Sequence, residues 1–349
     1  MEAILNQINQ DIKDIFRFNI ETTSAYVVPS RNDPGLTFPI GDVKKGKVIE
    51  TCVLMADMRN STKISKQLNK DKIRLGKIYS AFIHAMATVA DEYGYVRNII
   101  GDRVMVVFDP KDCYTKALTC AVLMNTVITK ILAKHVALDD FKVGIGIDFG
   151  QMLVLKTGIR KKHEEQSEYK NLVWVGDAAN VASKLTDAAT KEIKVQNYKV
   201  KYEPWNHAKH LGIGSSILGS LYPQSKFSRP APQPDYLPLT EKIFSEKEIT
   251  ENLFINSDKK GFTLLNGRIH TIEKLPIQTI SIPNILMTEN VYSYLKAKHP
   301  ERLQTESKGT TLLKLKRQLY HQVNYEFKDV TAKVYGGNVY YPIVDQIIK

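Results

Sequence analysis

The sequence contains little cysteine. Cys52, Cys113 and Cys120 are the three cysteines in 349 residues, and no two of them form a CxxC pair. An odd count without paired spacing argues against a disulfide framework and against a structural zinc site. The eight histidines contain no HExxH motif, which gives no sign of a zinc hydrolase. We therefore expect the protein in a reducing cytoplasm.

Long apolar runs are also absent. The most apolar stretch, around residues 117–132, is interrupted by Thr, Asn and Lys well before the ~20 residues that a membrane span needs. The N-terminus lacks the basic region, apolar core and cleavage site of a signal peptide. Hydrophobic residues nevertheless make up 43% of the chain, which excludes disorder along its whole length. The sequence predicts a globular protein without a membrane anchor.

The one unusual bulk property is charge. The 49 Lys and Arg residues exceed the 37 Asp and Glu residues, so the formal net charge is +12. Such a charge favours a polyanionic partner, such as nucleic acid, a membrane surface or the phosphates of a nucleotide. The basic residues are spread along the chain, and no basic stretch interleaved with aromatic residues is present. We therefore expect no nucleic acid partner.

The chain divides into segments of different composition. Residues 1–47 combine an amphipathic helix at 2–18, expected to pack on a partner surface, with a connector rich in Pro and Gly. A core of strands and helices is predicted at 48–190 and 280–349. Residues 191–279 form an insertion of unknown role that contains a long irregular Pro-rich segment, 204–238. Near the end, Gly336 and Gly337 are expected to turn a terminal hairpin over 325–344.

The first part of the core alternates strands and helices. Strands are predicted at 48–57, 95–100, 103–108, 141–149 and 170–175, with Gly150 turning the fourth strand into residues 152–155. Helices are predicted up to Tyr93, at 111–136 and at 178–189. The order β-α-β-β-α-β-β-α resembles a ferredoxin-like split βαβ arrangement with additions. This is an α+β fold rather than a doubly wound sheet.

Two carboxylates follow predicted strands. Asp57 ends a buried strand, and Asp102 lies in the Gly101–Asp102 turn between two strands that should pair. In a split βαβ sheet both strands are central, so both acids can meet at one edge and hold hard cations through oxygen. Backbone amides of residues 58–61, at the start of the next helix, would face the same place and suit phosphate. Taken singly, Asp57 also fits a helix cap and Asp102 a turn residue.

Four segments read together are more specific. Residues 55–62, 100–108, 143–150 and 175–185 resemble, in order and spacing, the motifs of class III nucleotidyl cyclases. Residues 285–291 and 333–344 resemble, more weakly, the later helix start and closing strands of that family. The resemblance covers about residues 48–190 and 280–345. It implies a catalytic domain that cyclises a nucleoside triphosphate and releases diphosphate, a phosphorus–oxygen lyase.

The resemblance also implies roles for single residues on the metal side of the site. Asp57 and Asp102, helped by the Met58 carbonyl, would bind two divalent ions, Mg²⁺ or Mn²⁺. One ion would activate the ribose 3′-hydroxyl. The other, with backbone amides such as those of Arg59 and Asn60, would neutralise the triphosphate.

The remaining catalytic residues would come from a second subunit, because the family's active sites lie across a homodimer. Asn180 of the other subunit would orient the ribose, and Lys184 would stabilise charge on the α-phosphate. Most of the family has Arg at the position of Lys184, and Lys keeps the charge but loses the forked geometry. Lys333 is a weaker candidate for a triphosphate contact.

The residues expected to read the base match neither purine pattern. Adenylyl cyclases of the family usually carry Lys and Asp, and guanylyl cyclases Glu and a small residue, where this chain has Asn98 and Val173. Val173 offers no hydrogen bond to a purine edge, which leaves a buried partner unpaired. Arg97 only donates hydrogen bonds, which suits a base with two carbonyls, whereas Asn98 can donate or accept.

The chain is similar in this respect to the pyrimidine cyclases of bacterial anti-phage (Pycsar-type) defence, which make cyclic UMP or cyclic CMP. This favours UTP and leaves CTP open, with the product read by a separate effector protein. Two alternatives remain. One is an adenylate cyclase with a divergent base pocket. The other, of another class, is an inactive cyclase-like module that binds a nucleotide or regulates a partner.

Overall fold

The computed structural model describes residues 1–17, 19–41, 43–138, 141–161, 164–165, 170–206, 234–256, 261–264, 267–306 and 316–347. Contacts group the chain into two units, Met1–Lys191 with Ile282–Lys349, and Glu192–Ser281. The division into three functional domains stays a prediction; its segments are 1–47, 48–190 with 280–349, and 191–279.

The described residues contain strands that we number in chain order: β1 Glu21–Ser24, β2 Lys45–Met58, β3 Tyr95–Ile100, β4 Arg103–Val107, β5 Val143–Thr157, β6 Arg160–Lys161, β7 Glu164–Glu165, β8 Asn171–Val175, β9 Glu192–Val195, β10 Asn197–Pro204, β11 Thr240–Ser245, β12 Leu253–Asn256, β13 Gly261–Leu264, β14 Gly267–Lys274, β15 Gln278–Ser281, β16 Ile285–Thr288, β17 Gln304–Glu306, β18 Lys316–Gln318, β19 His321–Gln322 and β20 Val334–Gly337.

The helices are numbered in the same way: α1 Glu2–Arg17, α2 Ser61–Gln67, α3 Lys72–Tyr93, α4 Cys113–Thr126, α5 Ala133–Val136, α6 Asp177–Ala188, α7 Glu246–Asn252, α8 Glu289–Lys298 and α9 Val344–Ile347. A π-helical segment, Val127–Leu132, joins α4 to α5, and a 3₁₀ turn, Pro300–Arg302, follows α8.

The main sheet has the order β19-β20-β16-β5-β2-β4-β3, with β1 beside β2 and β8 beside β5. Its centre, β5-β2-β4-β3, is antiparallel, and places the fourth, first, third and second predicted strands of the core side by side. Long helices connect β2 to β3 and β4 to β5. This is the split βαβ order, and the α+β prediction is confirmed.

The two faces of this sheet are covered differently. The apolar face towards α3, α4 and α8 carries the larger core, which includes Leu54, Phe82 and Met124. The other face is covered by α6 and by the segment that follows β1, from which Ala25, Val28 and Leu36 are buried against it. The sheet is therefore buried on both sides, which explains why β2 is apolar almost throughout its second half.

Two turn predictions were wrong. Strand β5 runs unbroken through Gly150, because its first part pairs with β2 and its last part pairs with both β2 and β8. Gly336 and Gly337 do not turn a hairpin but lie within β20, where they pair with Leu286 and Ile285 of β16. A Cβ at Gly337 would meet the Leu319 carbonyl at 2.5 Å, so close strand packing, not a turn, uses this glycine.

The most apolar stretch is a core element. Within the described residues, Cys113–Val136 is long and apolar enough to cross a membrane by length and composition, but 56% of its most apolar part is buried inside the protein. The buried residues of α4 face the sheet core, which accounts for their apolar character without a bilayer.

The second unit is built around a five-stranded antiparallel sheet in the order β11-β10-β14-β13-β12, with β9 and β15 paired separately. Val200 and Phe244 form its small buried core. Trp205 and Tyr236 pack with ring centroids 5.0 Å apart. Most of the predicted Pro-rich irregular segment, 204–238, lies outside the described residues.

Candidate functional site

The structure brings Asp57 and Asp102 to the same edge of the main sheet. Asp57 is the penultimate residue of β2 and lies directly opposite Arg103, the first residue of β4. Asp102 immediately precedes Arg103, in a turn where Gly101 adopts a positive φ of 61°. The register of two paired strands therefore places the two carboxyl-bearing residues beside each other.

Burial and charge act in opposite directions on Asp57. Its side chain is only 13% exposed, and burial raises the pKa of its carboxyl group, while the hydrogen bond and charge of Arg103 lower it. The nearby Asp102 raises it further. The net pKa of Asp57 lies above its usual value, because burial outweighs the neighbouring cation.

Arg103 provides that cation and reaches further. Its Nη2 atom lies 2.8 Å from Oδ2 of Asp57 and 2.5 Å from Oδ1 of Asp187 on α6. Its Nη1 atom donates to Oγ of Ser183, also on α6, at 2.7 Å. Burial lowers the pKa of Arg103, but the two carboxylates outweigh burial and raise it. One guanidinium thus joins the carboxylate edge of the sheet to α6.

Arg59 is the second guanidinium of the site, with its side chain 14% exposed. Its Nη1 atom lies 3.9 Å from oxygens of both Asp57 and Asp187, and burial lowers its pKa. Within the described residues its Nε and Nη2 atoms are buried without a hydrogen-bond partner. Its backbone amide donates to the Lys142 carbonyl at 2.7 Å, so this amide, predicted to face a phosphate, is already engaged.

A cavity of about 540 Å³ opens beside Asp57. It is lined by Asp57, Met58, Arg59, Asn60, Ser61, Thr62, Lys63 and Lys66. Met58 itself is buried, and Asn60 adopts a left-handed conformation (φ 56°) before α2. Sequence reasoning missed the two lysines, although their spacing of three residues on a short helix after Asp57 was a usable signal.

Asn180 and Lys184 lie on α6, on the same stripe of the helix as Ser183 and Asp187. Asn180 is exposed and has no hydrogen-bond partner among the described residues. Lys184 Nζ forms an ion pair with Oδ2 of Asp329 at 3.2 Å. No hydrogen bond or ion pair within the described part of this chain joins Asn180 or Lys184 to Asp57 or Asp102. Within one chain, the two predicted catalytic residues are therefore not bonded to the predicted metal carboxylates.

The predicted base-reading residues are also separate within the chain. Arg97 occupies a bulge in β3, where it donates to the Val28 carbonyl at 3.3 Å and lies 4.7 Å from the Tyr95 ring centroid. Burial lowers its pKa. Asn98 pairs with Met105 in the main sheet.

Val173 lies elsewhere in the sheet, opposite Leu155, and is 44% exposed. Its neighbour Trp174 packs instead on the buried cluster beneath α6. Lys333, the weaker candidate, forms an ion pair with Glu289 at 3.6 Å.

The donor set suits a hard divalent cation. Asp57 and Asp102 supply carboxylate oxygens, the ligands that Mg²⁺ and Mn²⁺ prefer. No group of three or more His, Cys, Asp and Glu side chains able to hold a metal occurs among the described residues. Two carboxylates leave coordination positions for oxygens of a bound triphosphate, which is how Mg²⁺ binds at nucleotide sites. The residues present therefore fit metal ions that bind together with a nucleotide.

The split βαβ sheet with two carboxylates at one edge is the arrangement that the resemblance to class III nucleotidyl cyclases implies. Residues 43–203 match the family described as "Adenylate and Guanylate cyclase catalytic domain". The chain belongs to this class III cyclase family. Class III cyclases bind nucleoside triphosphates, generally depend on divalent metal ions and commonly dimerise.

Curated relatives are similar to this chain at about 30% identity. A "Uridylate cyclase" of Gulbenkiania mobilis is 29% identical over 174 residues, 47% of this chain and 66% of that protein. A "Uridylate cyclase" of Xanthomonas perforans is 32% identical over 180 residues, 50% of this chain and 72% of that protein. A "Cytidylate cyclase" of Staphylococcus aureus is 32% identical over 108 residues, 28% and 25% of the two chains. The match to the first of these spans just under two thirds of the relative's length.

Proposed function

We propose that the protein is a pyrimidine nucleotide cyclase that converts UTP, or CTP, to the 3′,5′-cyclic monophosphate and diphosphate. In this reaction the ribose 3′-oxygen forms a bond to the α-phosphorus, the bond from the α-phosphorus to the bridging oxygen of diphosphate breaks, and the 3′-hydroxyl proton leaves to solvent. The observation that carries the proposal is the pairing of Asp57 with Arg103, which puts Asp102 next to Asp57, a residue that lines a cavity of about 540 Å³.

The proposed metal half consists of Asp57, Asp102 and the Met58 carbonyl, which would hold two divalent ions, Mg²⁺ or Mn²⁺. When bound, these ions supply charge neutralisation and activate the hydroxyl. The chain's own contribution here is to hold the triphosphate. Arg59 has two buried donor nitrogens without partners, and a buried donor gains most from an anionic acceptor. Asn60 lines the same cavity.

The proposed second half consists of Asn180 and Lys184 from another copy of the chain. Within the described part of one chain neither residue is bonded to Asp57 or Asp102, which is consistent with a homodimer with shared active sites. Asn180, exposed and without a partner among the described residues, would orient the ribose. Lys184 would release Asp329, with which it pairs at 3.2 Å, to stabilise charge on the α-phosphate.

The choice of a pyrimidine rests on the base residues and on the relatives. Asn98 and Val173 stand where purine cyclases of the family carry other residues, and two of the relatives above are named for uridylate and one for cytidylate. Arg97 is engaged with the Val28 carbonyl, so its use as a base reader requires that contact to break. We further propose a cytoplasmic role in bacterial anti-phage defence, with the cyclic product read by a separate effector.

The test is incubation of the purified protein with each of the four nucleoside triphosphates and Mn²⁺ or Mg²⁺, with products resolved by chromatography. We expect cyclic UMP or cyclic CMP, lost in Asp57→Asn and Asp102→Asn. The matched control is Asp91→Asn, which removes an exposed carboxylate of α3. Turnover of ATP alone would show an adenylate cyclase with a divergent base pocket. Nucleotide binding without any product would show an inactive module.

A further inference from the structure

Arg103 makes a contact that the catalytic scheme leaves without a role. Its side chain is 29% exposed and bridges Asp57, Ser183 and Asp187 at distances of 2.5–2.8 Å. The partners come from the end of β2 and from α6, more than a hundred residues apart in the sequence. A guanidinium can make such a bridge because its donors point in fixed directions, whereas a lysine ammonium is a single point charge.

The helix that Arg103 holds is the one that carries the proposed transition-state residues. Ser183 is adjacent to Lys184, and Asp187 lies one turn beyond it on the same stripe as Asn180. Proper alignment of such groups to within a fraction of an ångström controls catalytic rate. The bridge therefore fixes α6 relative to the carboxylate edge of the same chain.

The bridge also competes with a metal ion. Arg103 Nη2 occupies one oxygen of Asp57, the same carboxylate that is proposed to hold a divalent cation. A positive charge this close to the carboxylate opposes the binding of a second cation, and the loss of this charge favours it. Metal binding at Asp57 and the hold of Arg103 on α6 are thus linked through one carboxylate.

We propose that Arg103 is a positioning residue that couples the metal half of one active site to the α6 half of the other, by tying the metal carboxylate Asp57 to α6 of the same chain. This proposal rests on the proposed function above. Because α6 of one chain serves the active site whose metal half belongs to the other chain, Arg103 connects the two active sites of the dimer. Asp187 and Ser183 are its anchors on the helix.

Charge and geometry are separated by two substitutions at the same position. Arg103→Lys keeps the charge but loses the fork, so we expect kcat to fall about tenfold or more while the half-saturating Mn²⁺ concentration stays within about twofold. Arg103→Met removes the charge. We therefore expect the half-saturating Mn²⁺ concentration to fall severalfold and kcat to fall as much as in Arg103→Lys. A wild-type kcat in Arg103→Lys overturns the proposal.

Asp187→Asn breaks the same bridge from the helix side. Because Asp187 is 49% exposed, we expect this variant to fold even if a substitution at Arg103 impairs folding. We expect a lower kcat and a higher half-saturating Mn²⁺ concentration, the opposite of the metal effect of Arg103→Met. The matched control is Asp177→Asn, which removes an exposed carboxylate from the first turn of the same helix. Unchanged kcat in Asp187→Asn with a wild-type melting temperature contradicts the bridge.

A mixed dimer tests the coupling across subunits. One chain carries Asp102→Asn and the other Lys184→Met, so the single complete site combines the metal half of the second chain with α6 of the first. Arg103→Lys is then added to the Asp102→Asn chain, which contributes only α6 to that site. We expect turnover to fall about as much as in the homodimer, and unchanged turnover refutes coupling through α6. If the mixed dimer regains no activity at all, the shared-site dimer of the proposed function fails instead, while the homodimer results still decide the role of Arg103.

Discussion

Gly146→Ala should destabilise the protein, because α6 lies directly on this position of β5. A Cβ at Gly146 would lie 2.6 Å from both the backbone nitrogen and Oγ1 of Thr186, and closer still to the Ala182 carbonyl. Backbone atoms of a packed helix cannot turn away as a side chain can, so α6 must move as a unit. Overpacking of this kind costs about 1–3 kcal/mol.

The same strand offers a matched control. A Cβ at Gly150 would approach no closer than 3.4 Å, to Cβ of Ala178, which is ordinary contact. Replacing glycine by alanine also restricts the unfolded chain, which stabilises by about 0.4–1 kcal/mol where the site accepts a methyl group. We therefore expect Gly150→Ala to be neutral or slightly stabilising. Because the effect on the unfolded chain is shared by both variants, Gly146→Ala should be less stable than Gly150→Ala by the overpacking cost of about 1–3 kcal/mol.

Urea unfolding followed by circular dichroism measures this difference for both variants under the same conditions. The movement of α6 should also reduce kcat in Gly146→Ala, because Asn180 and Lys184 move with the helix. Equal unfolding free energies for Gly146→Ala and Gly150→Ala would refute the tight packing of α6 on β5. Equal stability with a lowered kcat would place the effect in the active site alone.

Three further predictions concern other parts of the first unit. Burial raises the pKa of Asp148 to about 6, so the native state holds its proton more tightly than the unfolded chain does. Stability should then fall by up to about 3 kcal/mol as the pH rises from about 4 to about 6 and stay level above, and urea titrations at several pH values should show this slope vanish in Asp148→Asn. Lys44 donates to main-chain carbonyls in the last turn of α1, and hydrogen exchange of α1 should accelerate at least about tenfold in Lys44→Met while α3 is unaffected. The buried amide of Asn125 donates to the Val339 carbonyl at 2.8 Å and accepts from Asn284 at 3.0 Å, so Asn125→Ala should lower the unfolding free energy by about 2–3 kcal/mol; a loss below about 0.5 kcal/mol would contradict this role.

The strand order and the position of the two carboxylates could be predicted because they depend on local patterns. An apolar run that ends in Asp57, and a Gly–Asp turn between two short β-rich runs, are visible in the sequence without any partner. The split βαβ order then follows from the alternation of strands and helices. The continuity of β5 through Gly150 could not be predicted in this way, since it depends on pairing with β2 and β8 along its whole length.

The contacts of the charged side chains could not be predicted for a different reason. Arg103 is adjacent to Asp102 in the sequence, but its contacts are with Asp57 and with α6, about 80 residues further on. Arg97 is predicted to read a base, and this stays a prediction; its contact with the Val28 carbonyl, at a bulge in β3, was not visible in the sequence. Long side chains choose their partners from distant segments, and single-sequence spacing carries no information about those segments.

The three cysteines are all at most 1% exposed, buried within the larger core. Although the hydrogen bond with Cys52 lowers the pKa of Cys113 to about 7, burial shields its thiolate from reagents. A new cysteine introduced on the surface would therefore be the one thiol that a maleimide reaches quickly. Fluorophores or cross-linkers could then be attached at an introduced cysteine without first removing the three buried ones, and distances between two copies would become measurable.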